Sequence, residues 1–527
     1  MADGAMHWSD LIAERIIKEH GDKPLYTLAS GITPSGTIHI GKFREIITTE
    51  MVSRALVRAG KNVRFIYSWD DYDTFRKVPA DMPDQEKLKA MLYQPIVDIP
   101  DVYGTAESYA RHNEITLEEI APVLGITNIE FIYQSKMYRA KKYNDMIIRV
   151  ADNAEKIRAI LQEYKTQEID ADWFPIETYC EKCNRDRVKF SNYDSAAKTI
   201  DYECKLCGHK ETLNLRESTR LKLPWRVDWP MRWAFEKVDF EPGGTDHSSA
   251  GGSFDTGRGI AREIFDWAAP VYAKYAFVLP KGQKKKMSSS VGNGFSVDSV
   301  LEVYTPEMVR WFFASYKPDA PFNMAFDIDV LKNYENFDKM ERVVYGAEGD
   351  NDDKRAAWRR VYEMSQIAFN GEIPATMPFQ PSFRHLCNNL QTNGMDIEKT
   401  RAVYASEIKN DVDEARYRER AKRAAFWIEN YAPDDFVFRV NDARRDDFFA
   451  GLADNEKKFV AAARAEILAA TDEQELQAAI NAAGIANGVE SKRSYRIIYQ
   501  MLISRDVGPK LAAFIFGVGP ARAASLL

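Results

Sequence analysis

Cysteine is scarce, with five among 527 residues, and that excludes a small scaffold braced by disulfides. Long apolar runs are missing too. No stretch reaches the ~20 residues that a membrane helix requires, so no span is expected. Net charge is low: 72 Lys plus Arg stand against 79 Asp plus Glu, which leaves −7. A grip on nucleic acid through overall charge is thereby excluded, although a small total says nothing about local patches. Such patches do occur at Arg139-Ala140-Lys141-Lys142, at Lys284–Lys286 and at Lys492-Arg493 with Arg496. Each also reads as an ordinary solvated face. The amino terminus, MADGAMHWSD, has neither the charged start nor the apolar core of a secretory leader, so the chain is expected in the cytoplasm. No internal repeat and no low-complexity tail is apparent.

What is present is an apolar fraction of 45% and a charged fraction of 29%, in a chain long enough for several domains. One stretch organises the rest: SGITPSGTIHIGKFRE, Ser30–Glu45. Leu25–Ala29 before it is a short apolar run of buried-strand type. Gly31, Pro34, Ser35 and Gly36 supply a turn, and Ile38, Phe43, Ile46 and Ile47 follow at helical spacing. Strand, turn and helix place unpaired N–H groups and a positive dipole end where a phosphate could sit. His39 can donate to a phosphate oxygen, and Gly41 leaves room for a flat base. Taken alone, His39 reads more readily as a capped surface histidine and Gly41 as a loose helix residue.

A second stretch lies far downstream, Lys284-Lys285-Lys286-Met287-Ser288-Ser289-Ser290 followed by Val291-Gly292-Asn293-Gly294. It follows Tyr275–Pro280, another strand candidate. A serine-rich loop carrying lysine can bring a point charge to a phosphate in transfer. Together HIGK and KMSSS resemble the paired HIGH and KMSKS signatures of class I aminoacyl-tRNA synthetases. The fourth residues differ, Lys42 in one box and Ser289 in the other. The longer strings TPSGTIHIGKFRE, SWDDYDTFRKVP and KMSSSVGN resemble the class I lysyl-tRNA synthetases, and the likeness runs along most of the chain.

Between the boxes, Asn62–Ser68 reads as a second parallel strand that ends in Trp69-Asp70-Asp71-Tyr72-Asp73. Acids and aromatics at a strand's carboxyl end suit a cationic substrate group. Asp81–Pro100 reads as an irregular excursion able to hold a moving loop. Cys180-x-x-Cys183 and Cys204-x-x-Cys207 form a C-x2-C pair of knuckles with the spacing of a zinc ribbon. His209 stands as an alternative to one of these cysteines, and Cys387 reads as a buried thiol. Gly243-Gly244-Thr245-Asp246-His247 offers glycines for close approach and an aspartate for ribose hydroxyls. Thr256-Gly257-Arg258-Gly259 lacks the third glycine of a dinucleotide fingerprint and is set aside. Trp8, Leu11, Ile12 and Ile16 form a helical stripe with Ser9 as its cap. Helices are expected at Val297–Val303 and Pro306–Ser315, with a boundary loop at the acidic stretch Glu348–Asp353. Beyond it the patterning is helical throughout, clearest at Phe459–Ala470, Glu473–Ala483 and Ser494–Ile503, with Lys510–Phe516 weaker.

The resemblance implies an α/β, Rossmann-type parallel-sheet domain. Its first half covers 1–110, an insertion with a four-cysteine zinc ribbon covers 111–224, and the second half covers 225–295. A helical linking unit covers 296–345, and an all-α anticodon-binding region covers 346–527. It implies a lysine–tRNA ligase, acting as a monomer on ATP with magnesium, L-lysine and tRNA(Lys), with structural zinc. ATP would be held by Pro34, His39, Gly41, Asp246, Lys286 and Met287. Catalysis would fall to His39, Lys42, Lys286, Ser288, Ser289 and Ser290. Lysine would meet Gly31, Thr33, Trp225, His247 and Tyr275, with Asp70 or Asp71 as counter-ion and Trp229 and Trp233 as neighbours of Trp225. A glutamate-type class I synthetase and a catalytically inactive synthetase-like RNA-binding protein are the alternative readings.

Overall fold

A computed structural model describes residues 6–36, 39–79, 82–165, 167–170, 172–281 and 295–527. The organising strand is β1 (Tyr26–Ile32), whose first five residues are all buried. Burial on both faces is what a central parallel strand demands, and the apolar run supplies it. Strand β2 (Val63–Trp69) pairs with it in parallel, Gly31 facing Ser68. Added to these are β3 (Glu130–Tyr133), β4 (Val238–Gly244) and β5 (Val271–Tyr275). The order is β5-β4-β1-β2-β3, parallel throughout. The chain leaves β1 toward β2 on one side, and β4 later docks on the other. This reversal creates a crevice at the carboxyl ends of β1 and β4.

Two helices pack against this sheet, the second of them at the crevice. Helix α1 (Trp8–His20) is capped by His7, whose ring accepts from the Ser9 N–H, rather than by Ser9 itself. Leu11 of the expected stripe is exposed, while Trp8, Ala13 and Ile16 are buried. Helix α2 (Ile40–Arg58) starts at the mouth of the crevice with His39 as its cap. Its inner face buries Phe43, Ile46, Ile47, Met51 and Val52.

Several expectations change. The sheet continues into the span 111–224, because β3 pairs with β2 inside it. Only one of the four residues of β3 is buried, although its sequence, Glu-Phe-Ile-Tyr, carries a short apolar run. Asp81–Pro100 does not form an open excursion: Met82, Leu88, Ile96 and Ile99 pack with Phe75 and Tyr109 in a small core. The strand expected over Tyr275–Pro280 is broken. Strand β5 ends at Tyr275, and Val278–Pro280 pairs separately with Phe322–Met324.

The chain divides into two compact units. The first holds Met1–Leu301, Pro306–Met324 and Gly349–Ile373, and the second holds the remainder. The expected boundary at 346 is therefore displaced, because the helix Asp352–Ser365 belongs with the first unit. Buried arginines explain this. Arg310 donates to the Met364 carbonyl at 3.0 Å and pairs with Glu50 at 2.8 Å, and Arg54 donates to the Gln366 and Ala368 carbonyls at 2.8 Å. In the second unit the described elements are helices alone, among them Asp329–Val344, Asp411–Asn430, Asp454–Ala469, Glu473–Ala486, Ser491–Ile503 and Leu511–Val518. Phe459, Ile467, Leu476, Ile480, Ile497 and Leu502 form its core. No described helix is long and apolar enough to cross a membrane.

Candidate active site

A cavity of about 330 Å³ opens at the carboxyl ends of the strands. Gly31, Ile32 and Thr33 from the end of β1, Ser68 and Asp70 from β2, Glu241 to Gly243 from β4 and Tyr275 from β5 line it. Such a size suits a small-molecule site. The first glycine is dictated by the sheet, since a Cβ on Gly31 would meet the Ser68 carbonyl at 2.6 Å. Gly243 is equally constrained, because a Cβ there would overlap the Tyr272 hydroxyl at 1.9 Å.

His39 is not among the residues that line this cavity; it precedes α2, whose Lys42 and Glu45 do line it. Its Nδ1 accepts from the Lys42 N–H at 3.3 Å, which caps α2. Burial, reinforced by the charge of Lys42, pulls the ring down to about 4, so it is neutral at pH 7. With Nδ1 accepting, the proton resides on Nε2, which is left as a donor. The cap occupies Nδ1 alone and is compatible with a ligand contact at Nε2. Lys42 lines the cavity, and burial lowers its ammonium to about 8 against the pull of Glu45. Gly41 lies in the first turn of the same helix. Pro34 follows β1, and its carbonyl accepts from Asn113 at 3.3 Å.

The opposite wall is aromatic and comes from helix α3 (Trp225–Glu236) and the turn after β4. Trp225 and Trp229 stack at 5.1 Å, and His247 lies 5.7 Å from the first and 5.6 Å from the second. Burial lowers the His247 ring, so this wall is neutral. The Trp225 indole N–H is buried without a partner and is available to a ligand acceptor. Asp246 lies in the same turn, exposed. Thr256, Gly257, Arg258 and Gly259 lie inside the helix Ser253–Phe265, where Gly257 lets Trp233 approach closely.

The acids of the pocket differ in their partners. Asp70 pairs with Arg232 at 2.7 Å, and Arg232 also reaches Asp228 at 2.8 Å. Burial opposes the charge on Arg232, but Asp228 and Asp70 more than offset it. Asp73 pairs with Lys222 at 2.6 Å and accepts from the Thr33 hydroxyl at 2.7 Å. Asp71 does not line the cavity: its carboxylate accepts from the Ser135 N–H at 2.7 Å and from the Ser135 hydroxyl. Glu45 and Glu241 have neutral partners. Glu45 accepts from the Gly31 N–H at 2.9 Å and from the Tyr275 hydroxyl at 2.5 Å. Glu241 accepts from the Trp233 indole at 2.6 Å. Sequence reasoning missed Glu45, Arg232 and Glu241. The signal available for Glu241 was its place as one of two acids, with Asp239, in a strand, VDFEPGG, that leads into the glycine turn.

Lys286, Met287, Ser288, Ser289 and Ser290 lie outside the described residues. The chain that follows them returns to the crevice, where Ser296 bridges His39 and the Phe295 carbonyl accepts from the Ile40 N–H at 3.0 Å.

The cysteine ribbon is a separate feature. Three antiparallel strands, Val188–Asp194, Thr199–Cys204 and Lys210–Asn214, carry the two knuckles. The sulfurs of Cys180, Cys183, Cys204 and Cys207 all lie within 4.8 Å of one another, and the pairs Cys180–Cys207 and Cys183–Cys204 are 3.6 Å apart. All four are free thiols, so the proximity is not that of disulfides. His209 is not among them, and its ring is directed to Glu211 at 3.7 Å. Cys387 is buried in the helical unit.

Comparison with known proteins follows the same lines. The family described as tRNA synthetases class I (K) matches residues 6–368. A lysine–tRNA ligase of Borreliella burgdorferi is 44% identical over 97% of this chain and 97% of its own. One from Thermococcus kodakarensis is 36% identical, again over 97% of both. Among solved structures, a glutamate tRNA ligase from Elizabethkingia meningosepticum covers 95% of this chain and 98% of its own at 13% identity, with a TM-score of 0.44. The match to the family over most of the chain, and to relatives along nearly all of it, means that this protein belongs to the class I (K) tRNA synthetases.

Proposed function

We propose that the protein is a lysine–tRNA ligase, activating lysine with ATP and passing it to the 3′ end of tRNA(Lys). The observation that carries the reading is the cavity at the β1–β4 reversal, walled by Glu45, Asp70, Asp73 and Glu241 beside a neutral aromatic face. With Asp70 paired to Arg232 and Asp73 to Lys222, Glu45 and Glu241 remain beside Lys42, an acidic excess that favours a cationic amino acid over glutamate.

In the first step the lysine carboxylate attacks the α-phosphate of magnesium-bound ATP, giving lysyl-adenylate and pyrophosphate. In the second, a terminal ribose hydroxyl of the tRNA takes the lysyl group and releases AMP. The protein's part is to position the reactants and to neutralise charge at phosphorus. His39 donates from Nε2 to a phosphate oxygen, and Lys42 adds a cation one turn along. Gly41 admits the adenine, with Pro34 beside it, and Asp246 receives ribose hydroxyls. Lys286, Met287 and Ser288 to Ser290 close over the pyrophosphate, a role supported by the return of their segment to His39 at Ser296. Gly31, Thr33, Trp225, His247 and Tyr275 enclose the amino acid. Asp70 is assigned its α-ammonium, since Arg232 fixes the position of that carboxylate at the cavity wall.

The ribbon fits zinc. Four Zn–S bonds of ~2.3 Å in a tetrahedron set sulfurs ~3.8 Å apart, and the observed 3.6 Å pairs match that spacing. Cys180, Cys183, Cys204 and Cys207 fill every position, so the ion would brace the fold and take no part in activation. As an enzyme of translation the protein works in the cytoplasm.

The test is amino-acid-dependent pyrophosphate exchange, followed by charging of a tRNA(Lys) transcript. Exchange with lysine is the expected result. Exchange with glutamate alone would refute the substrate assignment, and RNA binding without any exchange would refute catalysis.

A further inference from the structure

A second cavity lies behind the aromatic wall and has no role in the reaction above. It measures about 760 Å³, against about 330 Å³ for the substrate cavity, and all of its lining belongs to the first unit. The two cavities share a partition one side chain thick. The Tyr272 ring lines the second cavity, while its hydroxyl lies against Gly243 of the first and meets the Ser248 hydroxyl at 2.7 Å. Phe254 stacks on Tyr272 at 3.9 Å and stands 6.3 Å from Trp229.

The lining combines flat rings with guanidinium groups. On the helix Ser253–Phe265, Phe254, Arg258 and Arg262 follow at i, i+4 and i+8, which sets all three on the face toward the cavity. Tyr272 and Trp267 add further ring surface. Most charges of the lining are already engaged. Arg15 pairs with Glu19 at 2.6 Å and Asp266 pairs with Arg149, while Asp255 accepts from the Gly251 N–H at 2.9 Å. Arg258 is different. It meets no carboxylate among the described residues, and its guanidinium rests 6.0 Å from the centre of the Phe254 ring. Held over a ring, it keeps its N–H donors for an anion. Arg262, one turn on, is tied only to Glu263 at 3.1 Å in an exposed pair, which is weak enough for a dianion to compete for it. Two guanidiniums a turn apart suit a phosphate better than a single carboxylate, and the rings beside them suit a base. A cavity of this volume accommodates one such molecule.

We propose that this cavity is a second ligand site that takes a free nucleoside monophosphate, its phosphate on Arg258 and Arg262 and its base among Phe254, Tyr272 and Trp267. Phe254 and Tyr272 also back the substrate pocket, so occupancy of one cavity is felt in the other. Linkage then requires lysine to change monophosphate affinity by the same factor as the monophosphate changes lysine affinity. The site stands apart from the lysine reading; only this coupling rests on it.

Equilibrium dialysis of the full-length protein with AMP, GMP, CMP and UMP tests the site, in the presence of a saturating non-hydrolysable ATP analogue that occupies the crevice. At least one monophosphate should bind at one equivalent per chain. Ribose 5-phosphate keeps the anion and lacks the base, and should bind about tenfold or more weakly, the scale of one stacked base. Arg258→Gln should weaken monophosphate binding roughly 10–100-fold, the scale of a lost charge-assisted contact, and Arg258→Lys should recover part of it. Neither variant should alter pyrophosphate exchange in the absence of monophosphate. In the wild type, added monophosphate should shift the lysine KM by about fivefold or more, and Arg258→Gln should abolish the shift. No binding at millimolar monophosphate, binding that Arg258→Gln leaves intact, or an unmoved lysine KM with the site filled would overturn the proposal. So would tighter Arg258-dependent binding of a short single-stranded RNA, which would assign the cavity to a nucleic-acid strand. A wild type that binds monophosphate but gives no exchange with lysine would remove the lysine reading and leave the site in place.

Discussion

In the crevice, polar side chains stand on a sheet that is buried on both faces. Tyr26, Leu28, Ile66 and Trp69 are all at or below 1% exposure beneath them. In the ribbon, the strand Val188–Asp194 has no buried residue at all, and four thiols occupy the centre. The crevice is therefore held by apolar packing and is free to spend its polar groups on ligands. The ribbon has a smaller apolar core, with Ile200, Tyr202 and Leu213 packed against Ile176 and Tyr179, and adds a cluster of four thiols to it. One protein thus separates chemistry from cohesion. Substitutions in the two places should fail in opposite ways.

The largest effect should come from the crevice. His39→Ala removes the donor aimed at phosphate and should lower kcat of exchange by ~10²–10³-fold, the scale of losing one donor to a developing charge. The lysine KM should change little. The same substitution removes the cap of α2, at a cost of ~1 kcal/mol, which the buried sheet should absorb without unfolding. Exchange kinetics and a thermal melt on the same preparation check both halves. A protein that loses stability and keeps its rate would reverse the comparison.

Cys183→Ser should produce the mirror image. Bound zinc should fall, and amide exchange across residues 180–214 should rise sharply, because a structural site of this kind contributes folding energy directly. The kcat of lysine activation should hold nearly constant. Zinc analysis with hydrogen-exchange mass spectrometry reads the first effect and pyrophosphate exchange the second. A metal-free variant with an unaltered exchange pattern would show that the apolar packing of Ile200, Tyr202 and Leu213 suffices to hold the ribbon.

A smaller effect is expected from pH. Burial pushes Glu45 up to about 8, with Glu241 from β4 and Asp70 from β2 adding to it. The Gly31 N–H and the Tyr275 hydroxyl of β5 act in the other direction. Tyr67 and Tyr272 also face it, and burial raises both phenols. A cation binds the ionised form, so lysine affinity should improve as pH climbs through this value. Lys42, at about 8 through its burial, loses charge over the same interval, which should weaken ATP. The lysine KM should therefore fall, and the ATP KM rise, between about pH 7 and 9. Glu45→Gln should flatten the first curve and spare the second. If the lysine curve survives the substitution, another group governs it.

Much of this was legible in the sequence. The apolar run before SGITPSG, the parallel strand ending in WDDYD and the cysteine spacing each have a local physical cause. What escaped was non-local. Nothing along the chain says that Arg232, on a helix 162 residues after Asp70, claims its carboxylate. Nor does it say that Ser135 takes Asp71. Glu45 looked like a surface acid in a helix, and only the approach of Gly31 and Tyr275 makes it a pocket residue. Short β3, EFIY, was missed because a run of four residues, though rich in strand formers, is too brief to stand out from a buried helix or loop.

The smallest prediction concerns the start of α1, where sequence and structure disagree on the cap. Ser9 was the expected cap by residue type, yet His7 occupies the position and Ser9 lies inside the helix. The His7 ring accepts from the Ser9 hydroxyl at 2.8 Å, and its other nitrogen donates to the Ala314 carbonyl at 2.8 Å. Burial lowers this histidine to about 4, which keeps one nitrogen free to accept. His7→Ala removes a cap and a tether together and should cost ~1–2 kcal/mol of local stability in α1. Ser9→Ala removes only one neutral hydrogen bond and should cost about half as much. Amide exchange within Trp8–His20 would rank them. The opposite order would mean that the serine hydroxyl governs the helix start. Neither variant should touch activation, because α1 braces the sheet from outside the crevice.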